Sequence, residues 1–513
     1  MKLNRYLLGS ALVAALGGFL FGFDTAVISG TTTALREHFH LDWYWLAAGS
    51  PEGPLANDVI LQVGPRAIGF TAPNLIPDTS QIYKLGGFLL GFTVSSALLG
   101  TILGSILAGK PAEAFGRKPV LIVLGMLYLV SSLGCGLAWN WPALLAFRFL
   151  GGLAIGGASV VSPMYIAEIS PPQLRGRLVG ASQFNVVLGI LISYLSNFII
   201  FRLTGGDPVT WRWMLGIVAV PSAMFLLLLM PIPESPRWLV KRHRRDEALD
   251  VLRRLGNVNA EGVLREIVES LHEETVGADE PFFRAKYLKP ILLAAAIASF
   301  NQFSGINALI YYTSRIFEMA GATGDQALLL SVVIGLTNLV FTMLAMTVID
   351  HFGRRKLMLV GSVGYILSLG CTAWAFYAYG DAFVAAAAAA KAGTTVSDAV
   401  RATVGTGTVV VLASLLVFIA SHAFGQGAVI WVFISEIFPN RVRARGQALG
   451  SFTHWLWAAG LSWLFPVVAE KSGGLPFALF AAMMVLQLVW VVIAMPETKG
   501  VSLEQIQRKL GIE

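Results

Sequence analysis

Glu113-Ala-Phe-Gly116-Arg117-Lys118 is answered 237 residues later by Asp350-His-Phe-Gly353-Arg354-Arg355. Glu168-Ile-Ser-Pro171 with Arg175 is likewise answered 268 residues later by Glu436-Ile-Phe-Pro439 with Arg443. Each copy lies between long apolar runs, in the same order. A chain that repeats its punctuation this way reads as two parallel halves, an arrangement common among membrane-spanning carriers.

Composition points the same way. With 56% hydrophobic residues, 13% charged residues and a mean hydropathy of +0.69, a water-soluble fold would lack the polar surface to cover itself. The chain therefore reads as an integral membrane protein, with lipid as its surroundings. Its formal charge of +7 does not imply a nucleic-acid partner, because the basic residues cluster between apolar runs, where topology requires them. The two cysteines, Cys135 and Cys371, fall inside apolar runs without the paired spacing of a metal or redox motif. No metal and no cofactor is expected.

Apolar segments near the roughly 20 residues needed to cross a bilayer fall at about 7–30, 86–108, 119–139, 142–165, 178–201, 212–231, 290–313, 327–349, 357–379, 404–433, 447–468 and 475–495. The expected fold is all-α: twelve transmembrane helices in two six-helix bundles. The bundles are assigned to residues 1–232 and 290–495, with a linker at 233–289 and a tail at 496–513. The linker is too charged to insert, and its apolar spacing at Leu264, Ile267, Val268 and Leu271 predicts amphipathic helices. The apolar stretch after Lys2 and Arg5 reads as a retained first span.

Of the 37 lysines and arginines, 27 fall on the side of the termini and linker, nine on the other side, and Arg148 lies within a span. Basic loops stay cytoplasmic, so both termini are expected inside, in an inner or plasma membrane. The opposite side carries a long loop at 31–85 and an alanine-rich one at 381–402, both read as loop elaborations.

Several quoted motifs now resemble one family along nearly the whole chain. They are Gly17-Gly-Phe-Leu-Phe-Gly-Phe-Asp24, Gly116-Arg117-Lys118, Pro233-Glu-Ser-Pro-Arg-Trp-Leu239, Gln302-Phe-Ser-Gly-Ile-Asn307 and Pro496-Glu-Thr-Lys-Gly500. The ordered set is similar to the sugar porters of the major facilitator superfamily, nearest the bacterial pentose and hexose proton symporters of the D-xylose type. The resemblance implies alternating-access import of a monosaccharide together with a proton, by a monomeric protein that is not an enzyme. The alternatives are a passive sugar facilitator and a transporter-like sugar sensor.

An intramembrane carboxylate costs roughly 2.5–3.5 kcal/mol to insert, which singles out Asp24. The resemblance implies that Asp24 loads the proton, with Arg148 as its partner; the competing reading is a purely structural pair. For the sugar, the resemblance implies Asn301, Gln302, Asn307 and Tyr311 in span 7, with Gln183 in span 5 and Asn338 in span 8. Trp431 and Trp455 are the candidate stacking surfaces. Interhelical glue is the competing account of the amides, and packing that of the tryptophans. On an ideal helix Gln302 and Asn307 lie about 140° apart, so they converge only if the helix breaks at Ser304-Gly305.

This chain departs from the family pattern at His422 and His454, which stand where an aromatic residue and a glutamine are usual. Both are assigned to the cavity, with local bonding to backbone as the alternative. Span 10 also lacks the usual proline after Gly427, so Gly425 and Gly427 are the expected source of local flexibility. An inner gate is expected from Glu113, Arg117, Glu168 and Arg175 with their counterparts Asp350, Arg354, Glu436 and Arg443. Their fixed acids are not explained by a positive-inside rule, and they can pair across the halves when the inner side is closed.

Overall fold

Lipid offers the backbone no hydrogen bonds, so apolar runs of this length satisfy themselves as helices. The computed structural model describes residues 4–41, 58–63, 66–71, 79–276, 281–501 and 503–512. Among them, eleven helical segments are long and apolar enough to cross a bilayer. The first half contributes Arg5–His38, Gly86–Leu107, Arg117–Gly136, Trp141–Ile169, Pro172–Thr204 and Thr210–Leu229. The second contributes Ala285–Met319, Gly324–Ile349, Arg354–Ala378, Asp398–Ile437 and Leu475–Ile493. Asn440–Lys471, the eleventh element in chain order, is 32 residues long but opens on Arg441, Arg443 and Arg445, which makes it more polar. Together they give the expected twelve.

Local chemistry sets several helix starts. The Asn4 side chain accepts from the Tyr6 N–H, and Asn140 accepts from the Ala143 N–H with Pro142 in the first turn. The expected outer loop at 31–85 is more ordered than a loop where it is described: Thr32–His38 is helical, and Asp58–Val63 pairs antiparallel with Arg66–Thr71. The alanine-rich stretch is likewise a helix, Gly380–Ala392, as alanine's propensity favours. Phe383 anchors it in the core.

Between the halves lie three short helices, Pro236–Lys241, Arg245–Arg254 and Ala260–Val276. Leu264, Ile267, Val268 and Leu271 turn toward the first half and pack on its core. The C-terminal helix Leu503–Leu510 packs Ile506 and Leu510 on the second half. Asn4 donates to the Arg254 carbonyl, and Lys289 to that of Lys509, so both termini and the linker share one end of the bundle, here the linker end.

The apolar core is divided unevenly. Toward the far end a single cluster joins residues of both halves, including Phe23, Tyr194, Tyr311, Trp455 and Phe477. Toward the linker end each half has its own cluster, one built around Leu124 and Tyr165, the other around Phe433 and Phe438. The halves are joined at the far end and separate at the linker end. Many large apolar side chains are exposed on the outside, Leu137, Leu227, Leu367 and Ile493 among them, as a lipid-facing surface requires.

Candidate functional site

Span 7 breaks where its sequence demands it. The helix Leu288–Phe303 stops, Gly305 takes φ +83°, and Ile306–Met319 resumes the helix. A side chain at Gly305 would be strained by that φ, and its Cβ would lie 2.4 Å from the Phe480 ring. Across the break Asn307 Nδ2 donates to Gln302 Oε1 at 3.0 Å, so the two amides do converge. Gln302 Nε2 in turn donates to Asn301 Oδ1 at 2.9 Å and lies 3.1 Å from His454 Nδ1. A nitrogen that receives this donor must be unprotonated, so the contact requires neutral His454.

These groups border a cavity of about 180 Å³ between the halves. Gln183, Asn301, Asn307, Asn338, His422, Trp431, His454 and Trp455 line it, with Phe21 and Thr25 of span 1 opposite. Gln302 and Tyr311 do not line it. Gln302 stands behind the wall as the hub of the amide chain, and Tyr311 is buried in the core shared by both halves. Thr342 donates to Asn338 Oδ1 at 3.3 Å. His422 Nδ1 lies 2.6 Å from the Tyr365 hydroxyl, so its partner is a side chain and not the backbone carbonyl considered as the alternative. The apolar wall is aromatic: the His454 ring lies 5.4 Å from Trp431 and 4.8 Å from Trp455, whose indole meets Phe21 edge-on at 5.5 Å. Span 10 passes the site through a π-helical turn at Ala423–Gly427, where Gly425 and Gly427 sit. Such a set offers donors, acceptors and flat apolar faces to a small polyhydroxylated molecule.

Between Phe21 and Thr25 on the same turn of span 1 stands Asp24, which faces Arg148 of span 4. Asp24 Oδ1 lies 3.6 Å from Arg148 Nη1, with the Arg148 side chain 1% exposed and that of Asp24 16%. The separation allows ionic attraction but is too long for a hydrogen bond. Arg148 Nε and Nη2 are buried without a hydrogen-bond partner among the described residues. The carboxylate and the buried cation therefore attract each other without forming a tight hydrogen-bonded pair.

At the linker end the repeated motifs pair within each half. Arg117 reaches Glu113 at 2.9 Å and Glu168 at 2.8 Å, and Lys241 also binds Glu113. Arg354 reaches Glu436 at 2.8 Å, and Thr498 donates to the other Glu436 oxygen. Arg175 Nε donates to the Ala167 carbonyl, while Arg443 Nε and Nη2 are buried without a partner among the described residues. The Asp350 side chain lies outside the described residues. None of the described pairs bridges the halves, in keeping with the split core at this end.

Two residues that stand in the quoted motifs but were assigned no role from sequence complete these clusters. Glu234 accepts from the Arg117 and Lys118 backbone N–H groups, and Glu497 from those of Arg354 and Arg355. Each carboxylate sits on the positive end of the helix that begins with the repeated basic motif. Gly116 (φ +106°) and Gly353 (φ +87°) make room: a Cβ would lie 2.3 Å from Glu234 Oε2 or 2.7 Å from Glu497 Oε2. The signal was available as a third repeat, the Pro-Glu of Pro233-Glu234 and Pro496-Glu497 after the last span of each half.

Among the described residues no group of His, Cys, Asp or Glu is arranged to hold a metal ion. A family profile described as "Sugar (and other) transporter" matches residues 10–510. The D-xylose-proton symporter of Escherichia coli K12 is 32% identical over 534 residues, covering 98% of this chain and 96% of that one. The arabinose-proton symporter of Bacillus subtilis is 32% identical over 502 residues, covering 96% and 93%. The inward open structure of the Escherichia coli xylose transporter XylE superposes with a TM-score of 0.76 at 31% identity, covering 98% of this chain and all of that one.

Proposed function

The chain belongs to the sugar (and other) transporter family, and from that premise we propose that it imports a monosaccharide together with a proton by alternating access. The observation that carries this reading is the adjacency of two sites. A cavity lined from both halves by amides, imidazoles and indoles adjoins the intramembrane Asp24–Arg148 pair through Phe21 and Thr25. The amides and imidazoles suit the sugar hydroxyls, and the indoles suit a ring face.

Asp24 carries the proton. Charged, it is attracted to the buried Arg148 guanidinium; protonated, it releases that attraction and one constraint between spans 1 and 4. Sugar binding at the adjoining cavity biases the same rearrangement, which couples the two cargoes. The linker end, with its basic loops and both termini, is the cytoplasmic face. The ion pairs within each half there are free to rearrange across the halves when the inner side closes. The transporter acts as a monomer.

Proteoliposomes loaded with the purified protein test the reading. Labelled pentoses and hexoses are offered with and without an inward proton gradient, while internal pH is followed. Accumulation that needs the gradient and acidifies the lumen supports symport. Sugar flux that only equilibrates and never moves protons would identify a passive facilitator instead.

A further inference from the structure

His454 of span 11 supports the sugar site through a side chain that the cavity does not expose. Gln302 Nε2 lies 3.1 Å from His454 Nδ1 and 3.3 Å from its Nε2, and donates to Asn301 Oδ1 at 2.9 Å. Gln302 Oε1 accepts from Asn307 Nδ2 at 3.0 Å. Both hydrogens of the Gln302 amide are thus committed, one to Asn301 and one to an imidazole nitrogen that bears a lone pair. Gln302 is 1% exposed and Asn301 3%, so water does not reach them to absorb a mismatch. Asn301 and Asn307 both line the cavity, and the amide ends that Gln302 leaves free are a donor on Asn301 and an acceptor on Asn307.

A proton on the ring upsets this order. Imidazolium carries N–H on both nitrogens and accepts nothing, so a proton added from solution to the accepting nitrogen of His454 sets a donor against a donor. The Gln302 amide can answer only by turning Oε1 to the ring, which points Nε2 at Asn307 and withdraws it from Asn301. Both asparagines must then reverse, leaving an acceptor free on Asn301 and a donor free on Asn307. Asn338 takes its partner from Thr342 and is untouched, so part of the wall exchanges its polarity while the rest keeps it. His422, the other imidazole on the wall, is indifferent to such a proton: its Nδ1 lies 2.6 Å from the Tyr365 hydroxyl, which can donate or accept.

Few other titratable groups stand at this level. Spans 2 and 12, packed against span 11, carry no acidic or basic residue in Gly86–Leu107 and Leu475–Ile493. Span 7 brings Tyr311 and Tyr312, phenols that keep their protons in acid, and places Lys289, Arg315 and Glu318 toward its two ends. Span 10 brings His422 to the cavity and Glu436 to its linker end, where Arg354 holds it. On span 1, Asp24 stands between Thr25 and Phe21, whose ring meets Trp455, and it pairs with Arg148 of span 4. A symported proton on Asp24 favours sugar binding by reciprocity.

Resting on the symport reading above, we propose that His454 is a positioning residue whose neutral imidazole sets the polarity of the sugar site through Gln302, so that a proton on His454 weakens sugar binding while a proton on Asp24 strengthens it. The carrier thereby loosens its hold on the sugar when the solution bathing the cavity turns acid.

The test measures equilibrium binding of labelled D-xylose, L-arabinose and D-glucose to the purified full-length protein at about pH 7.5 and about pH 5, on either side of the free imidazole range. Wild type is compared with His454→Gln, whose side-chain carbonyl accepts from Gln302 at either pH and takes no proton. The ratio of the wild-type dissociation constant to that of His454→Gln is expected to rise about threefold from the neutral to the acid sample. Asp24 titrates in both proteins and drops out of the ratio. His454→Asn, a second amide at the same position, should give the same rise, so that a folding defect in one variant does not decide the outcome. A ratio that does not change with pH for either variant would overturn the assignment. Exchange of the three sugars in proteoliposomes separates the two readings. Absent exchange of all three defeats the transport reading, whereas normal exchange with a constant ratio defeats only the role of His454.

Discussion

Arg148 Nη1 stands 3.6 Å from Asp24 Oδ1, near enough to attract the carboxylate and too far to hydrogen-bond it. The pair lies between spans 1 and 4, beside the cavity and buried from it on the Arg148 side. This looseness has a direct consequence for coupling. Asp24→Asn is expected to retain sugar counterflow while losing uphill accumulation, because the amide keeps the shape but cannot carry the proton. Accumulation driven by a pH gradient in the variant would remove Asp24 from the coupling role.

Removing the anion should cost more stability than removing the cation, because a carboxylate can take up a proton while a guanidinium cannot lose one. Asp24→Asn leaves the Arg148 guanidinium, its side chain 1% exposed, without its counter-charge, at a cost of about 3–5 kcal/mol. Arg148→Ala in the same background should recover part of that loss. Melting of the purified variants in detergent, read by tryptophan fluorescence, checks both; a double variant no more stable than Asp24→Asn would contradict the argument.

The amide chain predicts a loss of affinity at a residue that the cavity does not expose. Gln302 orients Asn301 and Asn307 and is held in turn by His454. Gln302→Ala should weaken sugar binding by about 1–3 kcal/mol, since it strands the hydrogen-bonding groups of Asn301 and Asn307. Equilibrium binding of the transported sugar to the variant measures it, with wild-type affinity as the contrary result.

Gly305→Ala tests the break in span 7. Its φ of +83° costs a residue with a Cβ roughly 1–2 kcal/mol, and the added methyl meets the Phe480 ring. Lower thermal stability together with weaker sugar binding is expected, because straightening the helix separates Asn307 from Gln302. Wild-type values for both would show that the break does not position the amides.

Glu497 predicts a pH dependence at the linker end. Burial opposes its charge, but the backbone N–H groups of Lys499, Arg354, Arg355 and Thr498 outweigh it and hold the carboxyl below the usual carboxylate range. A lowered folded value contributes stability that is present above the unfolded value of about 4.3 and lost as pH falls through the folded one. Glu497→Gln should therefore lower the melting point at neutral pH by the equivalent of about 1 kcal/mol. The gap to wild type should close below about pH 4; a gap that is constant with pH would assign the loss to packing instead.

The duplicated Glu113–Lys118 and Asp350–Arg355 stretches, the twelve apolar runs and the break at Ser304-Gly305 were all legible in the chain. These are local properties: a run of apolar residues must become a helix in lipid whatever surrounds it. A glycine in the middle of a span is likewise where a helix can turn. The candidate cavity residues were mostly legible too, since amides and indoles inside spans are conspicuous.

Sequence alone could not say that Gln302 stands behind the wall while Asn307 lines it, because helix rotation about the break is set by packing against spans 8, 10 and 11. Nor could it say that Arg117 pairs with Glu168 inside one half while Arg36 crosses to Glu470 in the other. Charge pairing depends on which ends of the two bundles are in contact, and that is a property of their mutual packing. The spans were determined residue by residue, whereas the partners were decided only when the halves closed at one end and stayed apart at the other.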